Sequence, residues 1–405
     1  VKVIVVGAGL AGLTSARLLQ EAGVEVVVYE KSDGIGGRVR SDTVEGFTLD
    51  RGFQVFFTAY PAAQRQLRYD ALDLRAFAPG ALIAQGDRRH TLADPARDPE
   101  ALLPSVLTGI VTPLDKWRTW RLSGEVGAKP LSALLDGPDE TTERFLKRRG
   151  FSPLFVENFI RPFFGGIFLD RSLQTSARVF QFCWKMLAEG EASLPARGMG
   201  ALAQQLADGL EIRLESPVSS LSSLDADALV VATEAPEAAR LTGLSTPTGA
   251  VGVTTLYFAG KVPLWQGKRL LLHANQDPVV NHAALLTNTI PEYAPNGECL
   301  LAAVVLGVPE QDDEALFAAA LADLHRMFMG DRSAQSALAT YRPLRAYRTP
   351  YAQFAQPRGV ATTLPGTVTA LPHTYFAAEF TEASSIEGAL RSGESAARVI
   401  LAAHG

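Results

Sequence analysis

Sulfur is scarce in this 405-residue chain, which has two cysteines and four methionines. Cys183 and Cys299 lie far apart and share no CxxC spacing. They give no disulfide framework and suggest a reducing, cytoplasmic setting. The six histidines show neither metal-ligand spacing nor HExxH, so no metal site is expected. Basic charge is not in excess: 38 Lys and Arg stand against 43 Asp and Glu, a net charge of −5. That balance argues against a nucleic-acid partner held by bulk electrostatics. Long apolar runs are missing too, since none reaches the ~18–20 residues that a membrane-spanning helix needs. The longest candidate, Ala101 to Leu114, carries two prolines and is flanked by Asp98, Glu100, Asp115 and Lys116. Runs of this length are core or interfacial helices. The chain opens on a strand without a basic n-region, so no signal peptide is expected. No internal repeat or low-complexity tract stands out. The length suggests two or three domains.

The first fifty-odd residues are the most informative. Val3 to Val6 is an apolar, β-branched run that breaks into Gly7-Ala8-Gly9-Leu10-Ala11-Gly12 and then into a helical pattern, Leu13 to Glu21. A second apolar run, Val24 to Tyr29, ends on Glu30. Strand, glycine turn, helix, strand and acid make the dinucleotide-binding pattern in its required context. Gly7 is expected to make the tight turn and Gly9 to let backbone approach a pyrophosphate. Gly12 is expected to let helix and strand pack closely. Leu10 and Ala11 open a helix whose N-terminal N–H groups and dipole favour phosphate. The Glu30 carboxylate can accept both ribose hydroxyls.

Directly after Glu30 and Lys31 comes Ser32-Asp33-Gly34-Ile35-Gly36-Gly37-Arg38-Val39-Arg40-Ser41. A plain NAD domain needs no second glycine pair there. A longer flavin dinucleotide does, because its diphosphate and ribityl chain run past the first helix. Arg38 could then neutralise phosphate charge with a forked donor set. The bland alternative is a glycine-rich hairpin with an exposed arginine.

GAGLAG, YEKSDGIGGRVRS and FTLDRGFQ together resemble the flavin amine oxidase superfamily, which includes amine and polyamine oxidases, protoporphyrinogen oxidases and phytoene-type desaturases. The resemblance implies an α/β fold. An FAD-binding Rossmann-like domain, its parallel sheet discontinuous in sequence, would join an α+β substrate domain with helices and a mainly antiparallel sheet. The expected FAD segments are 1–76, 193–245 and 361–405. The substrate domain would take 77–192, its helical part, and 246–360, its sheet part. Gly52, Phe53 and Gln54 would bring backbone against the flavin ring, unless Gly46 to Phe57 is only a half-buried strand.

Further along, Phe77 to His90 reads as a hairpin, and Ser132 to Gly150 as helical, with a solvated basic face. In Phe151 to Ala177, Gly165-Gly166 is expected to interrupt a helical run. That stretch is either a core helix hairpin or, as in desaturase relatives, part of the substrate domain. Leu194 to Gly200 resembles the turn that returns the chain to the flavin domain, ahead of a helix from Ala201 to Leu210. By resemblance Val218 would meet the adenine through its backbone, and Ala228 to Thr233 would be a parallel strand. Val251 to Leu306 reads as a mainly antiparallel meander, and Asp312 to Met329 as an amphipathic helix. Candidates for the substrate cavity are Phe56, Tyr347, Tyr351 and Phe354, with core filling the equal alternative.

At the C-terminus, Thr374 to Glu379 and Ile386 to Leu390 resemble the family's final motif. Glu379 would reach the ribityl or diphosphate region. The helix opened by Ile386 and Ala389 would aim its N-terminus at the flavin edge that gains charge on reduction. Ala378 stands where glycine is usual.

The resemblance implies hydride transfer from a substrate C–H to flavin N5, with the cofactor carrying the chemistry; catalytic side chains are unknown. Residues 351–359 contain no cysteine, so non-covalent FAD is expected. A lysine near N5 is common in family oxidases; Lys261 and Lys268 are unaligned guesses. The aromatic 151–177 stretch leans toward the protoporphyrinogen-oxidase or carotenoid-desaturase branch, a large apolar substrate and peripheral membrane contact. An amine oxidase on a small amine or polyamine is the alternative. A flavin-free prenyl-binding chaperone of the Rab GDP-dissociation-inhibitor type is the alternative from another class. Neither substrate identity, electron acceptor nor oligomeric state is legible.

Overall fold

The computed structural model describes residues 1–93, 97–98, 105, 108–135 and 138–404, without the side chains of 132, 135 and 404. Residues 101–104, 106 and 107 of the 101–114 run therefore lie outside the described residues.

Two sheets organise the molecule. The first is wholly parallel, in the order Glu211–Arg213, Glu25–Tyr29, Lys2–Val6, Ala228–Val231, Thr374–Phe376. Its strands come from three well-separated parts of the chain. Val3, Val5, Val28 and Val230 are fully buried, as expected of continuous apolar runs in a parallel sheet covered on both faces. The first helix, Leu10–Glu21, packs against the last, Ile386–His404. Gly393 permits this, since a Cβ there would fall 2.5 Å from the Ala11 carbonyl oxygen. The two ends of the chain thus share one interface.

The second sheet runs Arg342–Phe354, Ala250–Gly260, Cys299–Leu306, His282–Leu285, Leu270–His273, Ala81–Gln85, Arg88–Leu92. It is antiparallel except where Leu270–His273 meets Ala81–Gln85. Alternation sorts its side chains. Leu256 and Phe258 pack with Leu316, Phe317, Ala320 and Leu324 on one face. Tyr257 and Ala259 join the core shared with the parallel sheet on the other.

Three local expectations differ from the structure. Gly165-Gly166 does not interrupt its helix: Arg161–Phe168 runs through the pair and stops at Leu169, which is left-handed at φ 56°. The glycines are there for close approach, because added Cβ atoms would meet Arg171 at Gly165 and the His282 imidazole at Gly166, each at 2.9 Å. The 132–150 stretch holds two helices, Leu131–Leu135 and Thr142–Arg148. The helix after Met199 ends at Ala207, three residues early. Residues 342–354 form a continuous edge strand of the second sheet.

Candidate active site

A cleft of about 1300 Å³ lies between the two sheets. It exceeds the ~300–1,000 Å³ usual for one small-molecule pocket, leaving room for an extended dinucleotide and a substrate. One end is built by the glycine turns. Gly7 has φ 112°, and a Cβ there would meet the Ala232 carbonyl oxygen at 2.7 Å. A Cβ on Gly12 would come within 2.1 Å of the Gly7 carbonyl oxygen, so helix and strand touch here as expected. Gly9 differs: its φ of −75° suits any residue, and a Cβ would meet nothing within 4 Å, because it points into the cleft. The second loop reaches back, with Gly36 N–H donating to the Ala8 carbonyl at 2.7 Å.

Glu30 is held by the Ala8 N–H at 2.8 Å and by the Ser32 N–H and hydroxyl at 2.9 and 2.7 Å. Arg38 pairs with Glu379 at 2.6 Å and lies 3.8 Å from Glu234. It also donates to the Ala352 carbonyl and faces the Tyr351 ring. Burial would lower the Arg38 pKa, but the two carboxylates raise it and keep it charged. Burial raises the pKa of Glu234. Ala378 has φ −143° and ψ 153°, extended backbone that any residue adopts, so it replaces glycine without strain.

Farther in, Gly52 has φ 123° and open space on its Cβ side. The Phe53 N–H donates to Thr255, and Gln54 Oε1 is buried without a partner among the described residues. The helix Ile386–His404 starts on the cleft and is anchored by Glu387, whose carboxylate accepts the Ala62 N–H at 2.9 Å.

Gly7, Gly9, Leu10, Ala11, Glu30, Lys31, Gly36, Gly37, Arg38, Gly52, Phe53, Gln54, Val218, Glu379, Ile386 and Ala389 all line this one cleft, with Gly12 directly behind it. The substrate candidates do not line it. Phe56 is buried against Tyr60 and Tyr69. Tyr347 donates to Asp42 at 2.8 Å, Tyr351 lies under Arg38, and Phe354 fills a small core. Lys261 is exposed and pairs with Glu298, and neither it nor Lys268 reaches the cleft. The lysines on the wall are Lys31 and Lys116.

The rest of the wall comes from the 151–177 stretch. Phe155, Phe159 and Phe163 recur at the helical i, i+4 spacing, with ring centroids 5.5 and 5.2 Å apart. They flank and span a π-helical turn, Val156–Ile160, of the kind that collects at functional sites. Phe182 and Trp184 complete an aromatic wall. Sequence reasoning missed Glu234, which no motif marks, and His282, a lone histidine inside an apolar strand. A ring periodicity was available for the phenylalanines.

The residues present suit FAD: a cradle that a Cβ at Gly9 would fill, an unpaired buried acceptor at Gln54, two helix N-termini and a half-buried arginine. Glu30 would take the ribose and Arg38 the diphosphate.

Comparison with known proteins agrees. A 15-cis-phytoene desaturase of Synechococcus elongatus is 23% identical over 99% of this chain and 96% of its own length. The polyamine oxidase 2 of Arabidopsis thaliana is 50% identical over 50 residues, 12% of this chain and 10% of that protein. Among solved structures, a putative protoporphyrinogen oxidase from Exiguobacterium sp. 255-15 has a TM-score of 0.74 at 18% identity, covering 98% of each chain. Putrescine oxidase bound to putrescine gives 0.72 at 20% identity, covering 99% of each. These two similarities speak to fold. The family described as flavin containing amine oxidoreductase matches residues 10–401, and the chain belongs to it: it is an FAD-dependent oxidoreductase.

Proposed function

We propose that this oxidoreductase takes a hydride from a C–H of a large apolar substrate, in the manner of the protoporphyrinogen-oxidase and desaturase branch. The observation that carries this reading is the Phe155–Phe159–Phe163 wall, backed by Phe182 and Trp184 on a cleft larger than the pocket usual for one small molecule. When bound, FAD supplies the hydride acceptor. The chain's own residues hold the dinucleotide at Glu30, Arg38 and the glycine loops, and they keep water from the aromatic end. The flavin is non-covalent in this reading. Cys299 is off the cleft, and burial pushes the Cys183 thiol up to about 12, so it carries no nucleophilic thiolate.

The same reading gives the substrate a route. Trp120 lines the cleft yet is 74% exposed, and Trp117 and Leu114 are about half exposed on the same helix, Pro113–Gly127. Lys116, Arg118 and Arg121 accompany them. Aromatic and basic side chains at helical spacing suit the lipid–water interface. Among the described residues no helix is long and apolar enough to cross a membrane, so contact would be peripheral.

The deciding experiment is anaerobic bleaching of the flavin with a panel of carotenes, porphyrinogens and amines. Bleaching by a carotene or porphyrinogen is expected. Bleaching by amines alone would overturn the reading in favour of a polyamine-type oxidase, to which the chain is also similar. Acid precipitation should release all flavin into the supernatant.

A further inference from the structure

Among the described residues His282 is the one buried imidazole on the cleft wall, 5% exposed, with its ring 5.4 Å from that of Phe53. Its protonation can be read from its neighbours. Asn281 is 1% exposed, and both ends of its amide are engaged. Its Oδ1 accepts from Arg171 Nη1 at 3.1 Å, and its Nδ2 donates to the Pro162 carbonyl at 3.0 Å. The Arg171 guanidinium has no acceptor to offer, so the amide cannot be turned around. The second Nδ2 proton therefore points at His282 Nδ1, 2.9 Å away. Nδ1 must accept, which leaves the proton on Nε2. Burial also pushes the His282 pKa down to about 4, so the ring is neutral at working pH.

Nε2–H has no partner among the described residues; His282 stands opposite Leu272 in the sheet and beside the Phe53 ring, and Phe159, Phe163 and Leu270 pack in the cluster that holds Leu272. A fixed donor facing an apolar cavity loses its water when a substrate fills the cavity, and is then costly unless the substrate accepts from it. Gly166 adds a second sign that the position is built, since any side chain there would strike the imidazole.

We propose that His282 is the polar anchor of the substrate subsite, and that the substrate is a large apolar molecule bearing one acceptor oxygen, a carbonyl above all. This rests on the apolar-substrate reading above and adds to it the position and sense of one hydrogen bond. A protonated amine, which has only donors, is rejected at the same place.

The test uses the FAD-loaded enzyme and two polyene probes, β-carotene as the hydrocarbon and retinal as the carbonyl compound. Binding is followed by tryptophan quenching, because Trp184 and Trp120 line the cleft. Retinal is expected to respond to one donor: its affinity should fall about tenfold in His282→Leu, the worth of one net hydrogen bond. It should recover substantially in His282→Gln, which keeps an N–H, while β-carotene changes less than threefold in both. Should His282→Leu fail to fold, the carbonyl stretch of retinal bound to the unaltered enzyme still decides. It must fall to lower frequency than in hydrocarbon solvent. An unshifted stretch, or equal loss of both probes in His282→Leu, overturns the proposal while leaving the apolar-substrate reading standing. Failure of both polyenes to bind the unaltered enzyme, with bleaching by amines, overturns both.

Discussion

Gly9 and Gly12 belong to one motif, yet alanine should affect them in different ways. At Gly12 a Cβ would lie 2.1 Å from the Gly7 carbonyl oxygen and 3.0 Å from Ala232 Cβ. Backbone cannot yield that distance cheaply, so the helix must back away from the strand at about 1–3 kcal/mol or more. At Gly9 the backbone is ordinary and a Cβ meets nothing. Restricting the unfolded chain favours alanine by ~0.4–1 kcal/mol, while the loss of a preferred helix-capping residue costs a similar amount. Apo stability of Gly9→Ala should therefore stay within about 1 kcal/mol of the unaltered protein. Its methyl group would instead occupy the phosphate cradle. Displacing two charge-assisted contacts, at ~1.5 kcal/mol each, should weaken FAD roughly hundredfold. The assay is a pair of measurements: thermal unfolding of apoprotein, and flavin fluorescence titration. Gly12→Ala should fail both and Gly9→Ala only the second. If Gly9→Ala bound FAD within threefold of normal, the cleft could not hold a diphosphate where the glycines lie.

Other consequences follow from the buried charges and close contacts. Asp50 is buried beneath donors from Ser41, Met199 and Tyr293 at 2.5, 2.8 and 3.1 Å, and burial pushes its pKa up to about 6 from an ordinary 3.8. A raised carboxyl pKa means that the folded state holds the proton more tightly. This group's contribution, roughly 3 kcal/mol, is present below pH 3.8 and lost as pH rises through 6. Asp50→Asn should remove that slope from a plot of denaturant stability against pH; an unchanged slope between pH 4 and 7 would refute the assignment. Arg38→Met should leave Glu379 and Glu234 facing each other without a cation, destabilising apoprotein by about 3 kcal/mol at pH 8, with recovery on acidification as Glu234, whose pKa burial already raises, takes up a proton. Equal loss at pH 5 and pH 8 would count against it. Gly393→Leu should break the contact between the first and last helices and lower the melting temperature with or without FAD. Trp117→Ala combined with Trp120→Ala should reduce co-sedimentation with anionic vesicles several-fold without changing flavin content, and equal sedimentation of both proteins would remove the lipid-surface proposal.

What the sequence made legible is what the chain builds locally. The Gly7–Gly12 turn, the Gly36-Gly37 loop and the start of the last helix each use a few consecutive residues whose backbone demands are written in their own types. All of them reached the cleft. The misreading at Gly165-Gly166 came from a tertiary contact with no local signature. Gly165-Gly166 costs a helix about 1 kcal/mol per glycine by propensity, so a break was the local expectation. The helix persists because Arg171 and His282 need the space those glycines leave.

The tyrosines of 342–354 failed for a subtler reason. Side chains alternate along a strand, so the cavity face should follow from counting by twos. The pairing with Ala250–Gly260 is irregular, however: Thr349 lies opposite Val253, whereas Gln353 lies opposite Val251. Two extra residues are absorbed between those pairs, so Thr349 and Gln353 keep one face while Tyr351, between them, falls out of the alternation; Tyr347 is drawn off to Asp42. Thr349, Ala352 and Gln353 reach the cavity, and Tyr347 and Tyr351 do not. The Arg38–Glu379 pair, 341 positions apart in the chain (379 less 38), and the Arg171–Asn281–His282 relay are of the same long-range kind. Cofactor recognition here is carried mostly by backbone in short motifs and is legible without a structure. Substrate recognition is carried by side chains that only the packed sheets bring together, so the substrate must be sought at His282 and the phenylalanine wall, where no motif points.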